Sequence, residues 1–349
     1  MTKHDAAPLI EIKDLERKFD VSKSPLSRFF NRGQKQYLKA VDGVSLEIPK
    51  GETLSIVGES GCGKSTMAKL VVGLDFPTAG SISFEGHDLS KPEDFTKFRS
   101  RWQMIFQDPY ASLNPRWRVR DIIAEPMREF HPGVSRVEVD DVVGDLLTKV
   151  GLSPKDAEKF PHEFSGGQRQ RISIARALSS EPEFLVCDEP TSALDVSVQA
   201  QILNLMKELQ ERLGLTYLFI SHDLAVVHHI STKIGVMYLG RICEVADADD
   251  LFRAPLHPYT RMLLETIPKM DTEVVERVPV SGEVPNPINA PSGCTFHPRC
   301  PFATDRCKQE APALRDTGRA KVACHAVEED RLPPANRTRK PHGKGVQNA

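Results

Sequence analysis

An apolar strand, a glycine-rich turn and the start of a helix follow one another without a break in TLSIVGESGCGKSTMAKLVV, residues 53 to 72. Within it, Gly58-Glu59-Ser60-Gly61-Cys62-Gly63-Lys64-Ser65 fits G-x-x-x-x-G-K-S/T. A strand that feeds such a turn and then a helix belongs in an α/β sheet, because parallel strands need helical crossovers. The glycines let the backbone wrap closely, so that its N–H groups and the helix N-terminus point at an anion such as a phosphate. Gly58, Ser60, Gly61, Cys62, Gly63, Lys64, Ser65 and Thr66 are thus the expected contacts to a nucleotide tail, with Lys64 on the outer phosphates and Ser65 able to ligate Mg²⁺.

The flanking patterns agree. Strand-like runs are expected at Leu9 to Phe19, Tyr37 to Ile48, Ser81 to Leu89 and Trp102 to Phe106, with a polar surface loop from Asp20 to Gln36. Apolar residues at spacings of three and four, including Ile122, Ile123, Val143, Leu146 and Leu147, predict a small helical subdomain at about 113–167. Then come a helix from about Gln168, a strand at Phe184 to Cys187, a helix at Gln199 to Leu213, a strand at Tyr217 to Ile220, and a strand pair around Lys233 to Val245. Alternation of this kind implies a largely parallel sheet. The expected divisions are an ATPase domain at 1–255, a proline- and cysteine-rich extension at 256–332, and a disordered basic tail at 333–349.

Formal charge is −2, from 46 basic and 48 acidic residues in 349, so nothing points to a nucleic-acid partner. No apolar run reaches the ~20 residues a spanning helix needs, and the start MTKHDAAPLI lacks a signal-peptide plan, so a cytosolic chain is expected.

The run Phe184-Leu185-Val186-Cys187-Asp188 is an apolar strand ending in a carboxylate, with Glu189 next. That edge is where an open α/β sheet binds ligands, so Asp188 is expected to organise Mg²⁺ and Glu189 to polarise an attacking water. Phe164-Ser165-Gly166-Gly167-Gln168 opens a helix whose first amides can also face an anion. With Phe for the usual Leu, this segment resembles the signature of ATP-binding cassette (ABC) proteins. The resemblance implies an α/β ABC-type ATPase fold with a phosphate loop, a helical subdomain and an antiparallel β part. It further implies roles for Gln107 as the Q-loop glutamine near Mg²⁺, Asp195 in a D-loop, and His222 as the switch histidine. Phe19 is the candidate that stacks on adenine, with Tyr37 as a competitor. In this family two ATPase domains sandwich ATP, each phosphate loop facing the partner's signature, and this chain carries one set.

Three further segments, Gln103 to Arg116, Ala193 to Gln201 and His257-Pro258-Tyr259-Thr260, resemble the ATPase subunits of bacterial dipeptide and oligopeptide importers over nearly the whole chain. Gln168 makes it more similar to the F-type than to the D-type member. That implies ATP hydrolysis at the cytoplasmic face of the inner membrane, two transmembrane permease subunits docking near residues 111 to 118, and a related second ATPase subunit in a heterodimer. An extracytoplasmic substrate-binding protein would be an indirect partner. Alternatives are related importers of nickel or glutathione, or a soluble cassette protein without membrane partners.

Of seven cysteines, Cys62, Cys187 and Cys243 fall in core motifs or strands, whereas Cys294, Cys300, Cys307 and Cys324 share the extension in a C-x5-C-x6-C-x16-C arrangement. Four thiolates there could hold a 4Fe-4S cluster or zinc, and resemblance to the importer extension favours the cluster. Four free cysteines are the other reading.

Overall fold

The computed structural model describes residues 7–22, 35–89, 92–266 and 282–333. The first strands, β1 (Ile10–Asp20) and β2 (Tyr37–Ile48), pair antiparallel, with Phe19 opposite Leu38. They form a four-stranded sheet with β4 (Ala79–Phe84) and the two-residue β5 (His87–Asp88), in the order β2-β1-β4-β5. The single strand expected over Ser81 to Leu89 is therefore a hairpin. Glu85 and Gly86 both take positive φ there and reverse the chain. Most of the Asp20 to Gln36 loop, and the basic tail beyond residue 333, lie outside the described residues.

The second sheet has eight strands. Its parallel part contains β3 (Thr53–Val57), β6 (Trp102–Ile105), β7 (Phe184–Asp188), β8 (Thr216–Ile220) and β9 (Lys233–Tyr238), ordered β9-β3-β8-β7-β6. Every residue of β3, β7 and β8 is buried, as expected for strands covered on both faces, which read as continuous apolar runs rather than alternating ones. Because these strands run parallel, their C-terminal ends meet at one edge, and the loops after β3, β6, β7 and β8 emerge side by side.

Helix α1 (Lys64–Val71) follows the glycine turn directly. Helices α2 (Val119–Phe130) and α3 (Arg136–Lys149) make up the helical region, the latter started by a capping box in which Ser135 and Glu138 satisfy each other's amides. Helix α4 (Gly166–Leu178) begins two residues before the expected start because Ser165 and Gln168 form another such box. Ile122, Ile123, Val143 and Leu147 pack in the same core cluster as Ile172, Leu185 and Phe219, so the helical region shares its core with the sheet. Helix α5 (Val196–Leu213) ends at Gly214 in the left-handed conformation that lets the chain turn into β8.

The C-terminal region is more integrated than its composition implies. Strands β10 (Arg241–Asp247), β11 (Arg315–Asp316) and β12 (Ala320–Val322) add an antiparallel flank to β9, with Val322 opposite Glu244. Phe296, Val322, Cys324 and Ala326 are buried in one cluster with Tyr238, Leu251 and Tyr259. A segment poor in apolar residues thus completes its core with those of the sheet. Among the described residues, no helix is long and apolar enough to cross a membrane.

Candidate nucleotide-binding site

The turn after β3 is held by backbone constraints that only glycine meets. Gly58 has φ +156°, and a Cβ there would lie 2.1 Å from the Met237 carbonyl oxygen on β9. Gly63 has φ +109°, and its Cβ would lie 2.0 Å from the Ala40 carbonyl oxygen on β2. Lys64 is buried; its Nζ donates to the carbonyls of Gly58 at 2.7 Å and Glu59 at 3.0 Å. The ammonium is therefore curled over its own loop, with its positive charge at the mouth of α1. Cys62 is buried beside it, and burial raises its thiol pKa despite the nearby Lys64 charge.

At the end of β7, the Ser65 hydroxyl donates to Asp188 Oδ1 at 3.0 Å, which ties the first turn of α1 to the acidic strand. Burial raises the Asp188 pKa; the Ser65 hydrogen bond opposes that rise, and the neighbouring Glu189 charge adds to it. Glu189 has φ +47°, a left-handed conformation uncommon outside glycine, and its amide donates to the Ile220 carbonyl on β8. That kink presents the carboxylate to two other loops. Gln107 Nε2, from the loop after β6, donates to Glu189 Oε2 at 3.2 Å, and His222 Nδ1, from the loop after β8, lies 3.0 Å from the same oxygen. Two side chains, 82 and 33 positions away from Glu189 in sequence, meet on one of its oxygen atoms.

These groups line an open cleft of about 680 Å³. Ser60 through Thr66 form its floor, Gln107, Glu189 and His222 stand along it, and Phe19 and Leu38 supply an apolar wall. Phe19 is the aromatic in the cleft; Tyr37, the competitor, is 44% exposed and not among the lining residues. The Arg17 guanidinium stacks over the Phe19 ring at 4.6 Å from its centroid and pairs with Asp75, which holds the ring in place. Sequence reasoning missed Leu38, Lys39, Ala40, Leu239, Gly240 and Pro287 as lining residues. Only the register of β1 with β2 could have suggested Leu38, and nothing local pointed to Pro287.

Ser165, Gly166, Gly167, Gln168 and Asp195 do not line this cleft. Ser165 and Gln168 bond each other's amides, and a Cβ on Gly167 would meet Val198 Cγ1 at 2.5 Å, so the signature turn packs on the start of α5. Asp195 occupies the N-cap position of α5 but makes no side-chain cap bond.

The expectation of a 4Fe-4S or zinc site at Cys294, Cys300, Cys307 and Cys324 is not supported. Among the described residues no three His, Cys, Asp or Glu side chains are arranged to hold a metal ion, and all four cysteines are free thiols. Spacing placed them in one module but could not tell where their sulfurs point. Burial, reinforced by the other cysteines, raises the thiol pKa of Cys294 to about 11 and of Cys300 to about 12.

The family description "ABC transporter" matches residues 41–192, and "Oligopeptide/dipeptide transporter, C-terminal region" matches residues 243–307. The chain is 51% identical to the putative oligopeptide transport ATP-binding protein YkfD of Bacillus subtilis, over 91% of this chain and 95% of that one. It is 49% identical to the oligopeptide transport ATP-binding protein OppF of Salmonella typhimurium (92% and 96% covered) and 44% identical to the dipeptide transport ATP-binding protein DppF of Escherichia coli (93% and 96%). Among solved structures, the dimeric bacterial ABC transporter cassette MJ0796 superposes with a TM-score of 0.60 at 28% identity, covering 68% of this chain and 98% of that one. The same cassette has been seen as a dimer in a post-hydrolysis state with ADP and Pi, at the same score. A phosphate loop, an acidic strand end and a signature turn on one fold, together with identity near 50% along almost the full length, place this chain in the ABC transporter family as an ATP-binding subunit of its oligopeptide/dipeptide branch.

Proposed function

We propose that this chain hydrolyses ATP to energise the import of oligopeptides or dipeptides, with Glu189 as the base that polarises the attacking water. The observation that carries this reading is the meeting of Gln107 and His222 on the one outward oxygen of Glu189, above the Ser65–Asp188 pair. A carboxylate so placed accepts a proton from water, while His222 and Gln107 orient it and respond to the γ-phosphate. The amides from Ser60 to Thr66 and the Lys64 ammonium take the phosphate oxygens, and the Phe19 ring takes the base. Mg²⁺ neutralises phosphate charge when bound with the nucleotide, and the hydroxyl of Ser65, the carboxylate of Asp188 and the amide oxygen of Gln107 are oxygen donors of the hard type it prefers.

The signature residues Ser165 to Gln168 and Asp195 lie outside the chain's own cleft, which favours a site completed by a second ATPase subunit of related sequence. Tyr110 and Trp117, 56% and 44% exposed, lie on or beside the segment 111–118 expected to meet two membrane permease subunits. A peripheral position on the inner face of the cell membrane follows from that contact. Peptide itself would reach the permeases from an extracytoplasmic binding protein.

The test is Glu189→Gln in the assembled transporter. The amide keeps the shape and cannot accept the proton, so nucleotide binding should persist while hydrolysis and peptide uptake fall by at least 100-fold. Hydrolysis near the unaltered rate would remove Glu189 from this role.

A further inference from the structure

Glu59, in the phosphate loop, is held from the C-terminal region. Its carboxylate receives a two-pronged pair from Arg299, with Nη1 at 2.7 Å from Oε2 and Nη2 at 3.0 Å from Oε1. Its backbone N–H donates to the Tyr259 hydroxyl at 2.9 Å. Its carbonyl accepts Lys64 Nζ. Two of the three polar groups of Glu59 are thus engaged by residues 200 and 240 positions away, and the third by the lysine that reaches for phosphate.

Arg299 is built into this position. Its side chain is only 5% exposed, its Nε is buried without a partner, and beyond Glu59 its guanidinium has a longer contact to Tyr238 at 3.5 Å. Tyr238, Tyr259 and Phe296 pack around it with ring centroids 4.7 to 5.3 Å apart. The hydrogen bonds to Glu59 raise the pKa of Arg299 further, so the cation is permanent. A cation so enclosed depends on the Glu59 carboxylate, and the carboxylate depends on it. Pro287, from the same region, lines the cleft as well.

We propose that Arg299 is a positioning residue for nucleotide binding. It neutralises Glu59 and orients it, so that the Glu59 carbonyl holds Lys64 and the carboxylate stays out of the phosphate cradle. This rests on the reading of Lys64 as a phosphate ligand. Without Arg299, an unpaired carboxylate inside the loop competes with phosphate for Lys64 and repels the triphosphate. The folded state of the C-terminal region thereby sets the affinity of a site otherwise built from the first 240 residues.

The experiment titrates the full-length chain with a fluorescent ATP analogue and Mg²⁺, comparing Arg299→Ala, Arg299→Lys, Glu59→Gln, the double variant R299A/E59Q, and Lys64→Ala as reference. The expected result is affinity weakened at least tenfold by R299A, less by R299K, and restored in R299A/E59Q to within threefold of E59Q alone. Restoration is the decisive readout, because removing the orphaned charge cannot repair a C-terminal region that has merely lost its packing. If R299A fails to fold, R299K against R299K/E59Q carries the same comparison with the side-chain volume kept. Unaltered binding by R299A, or a double variant no better than the arginine variant alone, would overturn the proposal. Unaltered binding by Lys64→Ala would instead remove the phosphate-ligand reading beneath it.

Discussion

Replacing Gly63 with alanine perturbs the loop at the position where the surrounding backbone leaves least room. The new Cβ would sit 2.0 Å from the Ala40 carbonyl oxygen and 2.9 Å from Met237 Cε, at φ +109°. The methionine end can swing aside; the carbonyl cannot, because β2 is paired with β1 on either side of Ala40 and Asp42 N donates to Gly240 O at 2.9 Å. The loop itself must retreat by about 1 Å, and the left-handed conformation costs roughly a further 1–2 kcal/mol in a residue with a Cβ. A displacement of about 1 Å in a binding constellation costs about 100-fold, about 2.8 kcal/mol at 1.4 kcal/mol per tenfold. Gly61→Ala is the internal comparison, since its Cβ meets nothing within 4 Å and only the φ of +77° is unfavourable. Titration with MgATP should show Gly63→Ala weakened about 100-fold and Gly61→Ala by no more than about tenfold. Equal, small effects for both would refute the argument that the β2 carbonyl positions the loop.

Phe19→Ala should weaken nucleotide binding by roughly 1–3 kcal/mol, the usual worth of base stacking on an aromatic ring, while Tyr37→Ala should leave it unchanged; the same titration reads both. Gly167→Ala should destabilise the chain by about 1–3 kcal/mol through its clash with Val198, and Val198→Ala added to it should recover part of that loss in a denaturant melt. His257 is fully buried, its Nδ1 accepts the Tyr259 amide, and burial lowers its pKa to about 3. A base whose pKa is depressed in the folded state contributes its stability in full above the unfolded value of about 6.5, and loses it as the pH falls from there towards 3. Acidification in that window should therefore cost up to about 1.4 kcal/mol per pH unit, and His257→Asn should flatten this part of the stability curve. An unchanged slope in the variant would show that the acid sensitivity lies elsewhere.

Local chemistry made the strand, turn and helix of residues 53–72 and the acidic end of β7 legible in sequence, because each depends on neighbours within a few positions: glycines at positive φ and an uninterrupted apolar run. The family resemblance and the near-parallel sheet followed from the same signals. What depends on distant partners was not legible. The hairpin at Glu85, the meeting of Gln107 and His222 on Glu189, and the strands that the C-terminal region adds to the sheet were decided by tertiary packing. The cysteines show the limit most plainly, since spacing brings four of them into one module, but only the packing of the C-terminal region against the sheet buries Cys307 and Cys324 and leaves Cys294 and Cys300 half-buried. Arg299 is the converse case: nothing around it in the sequence marks it, and only the fold, by burying its guanidinium against a loop 240 residues earlier, makes its charge matter.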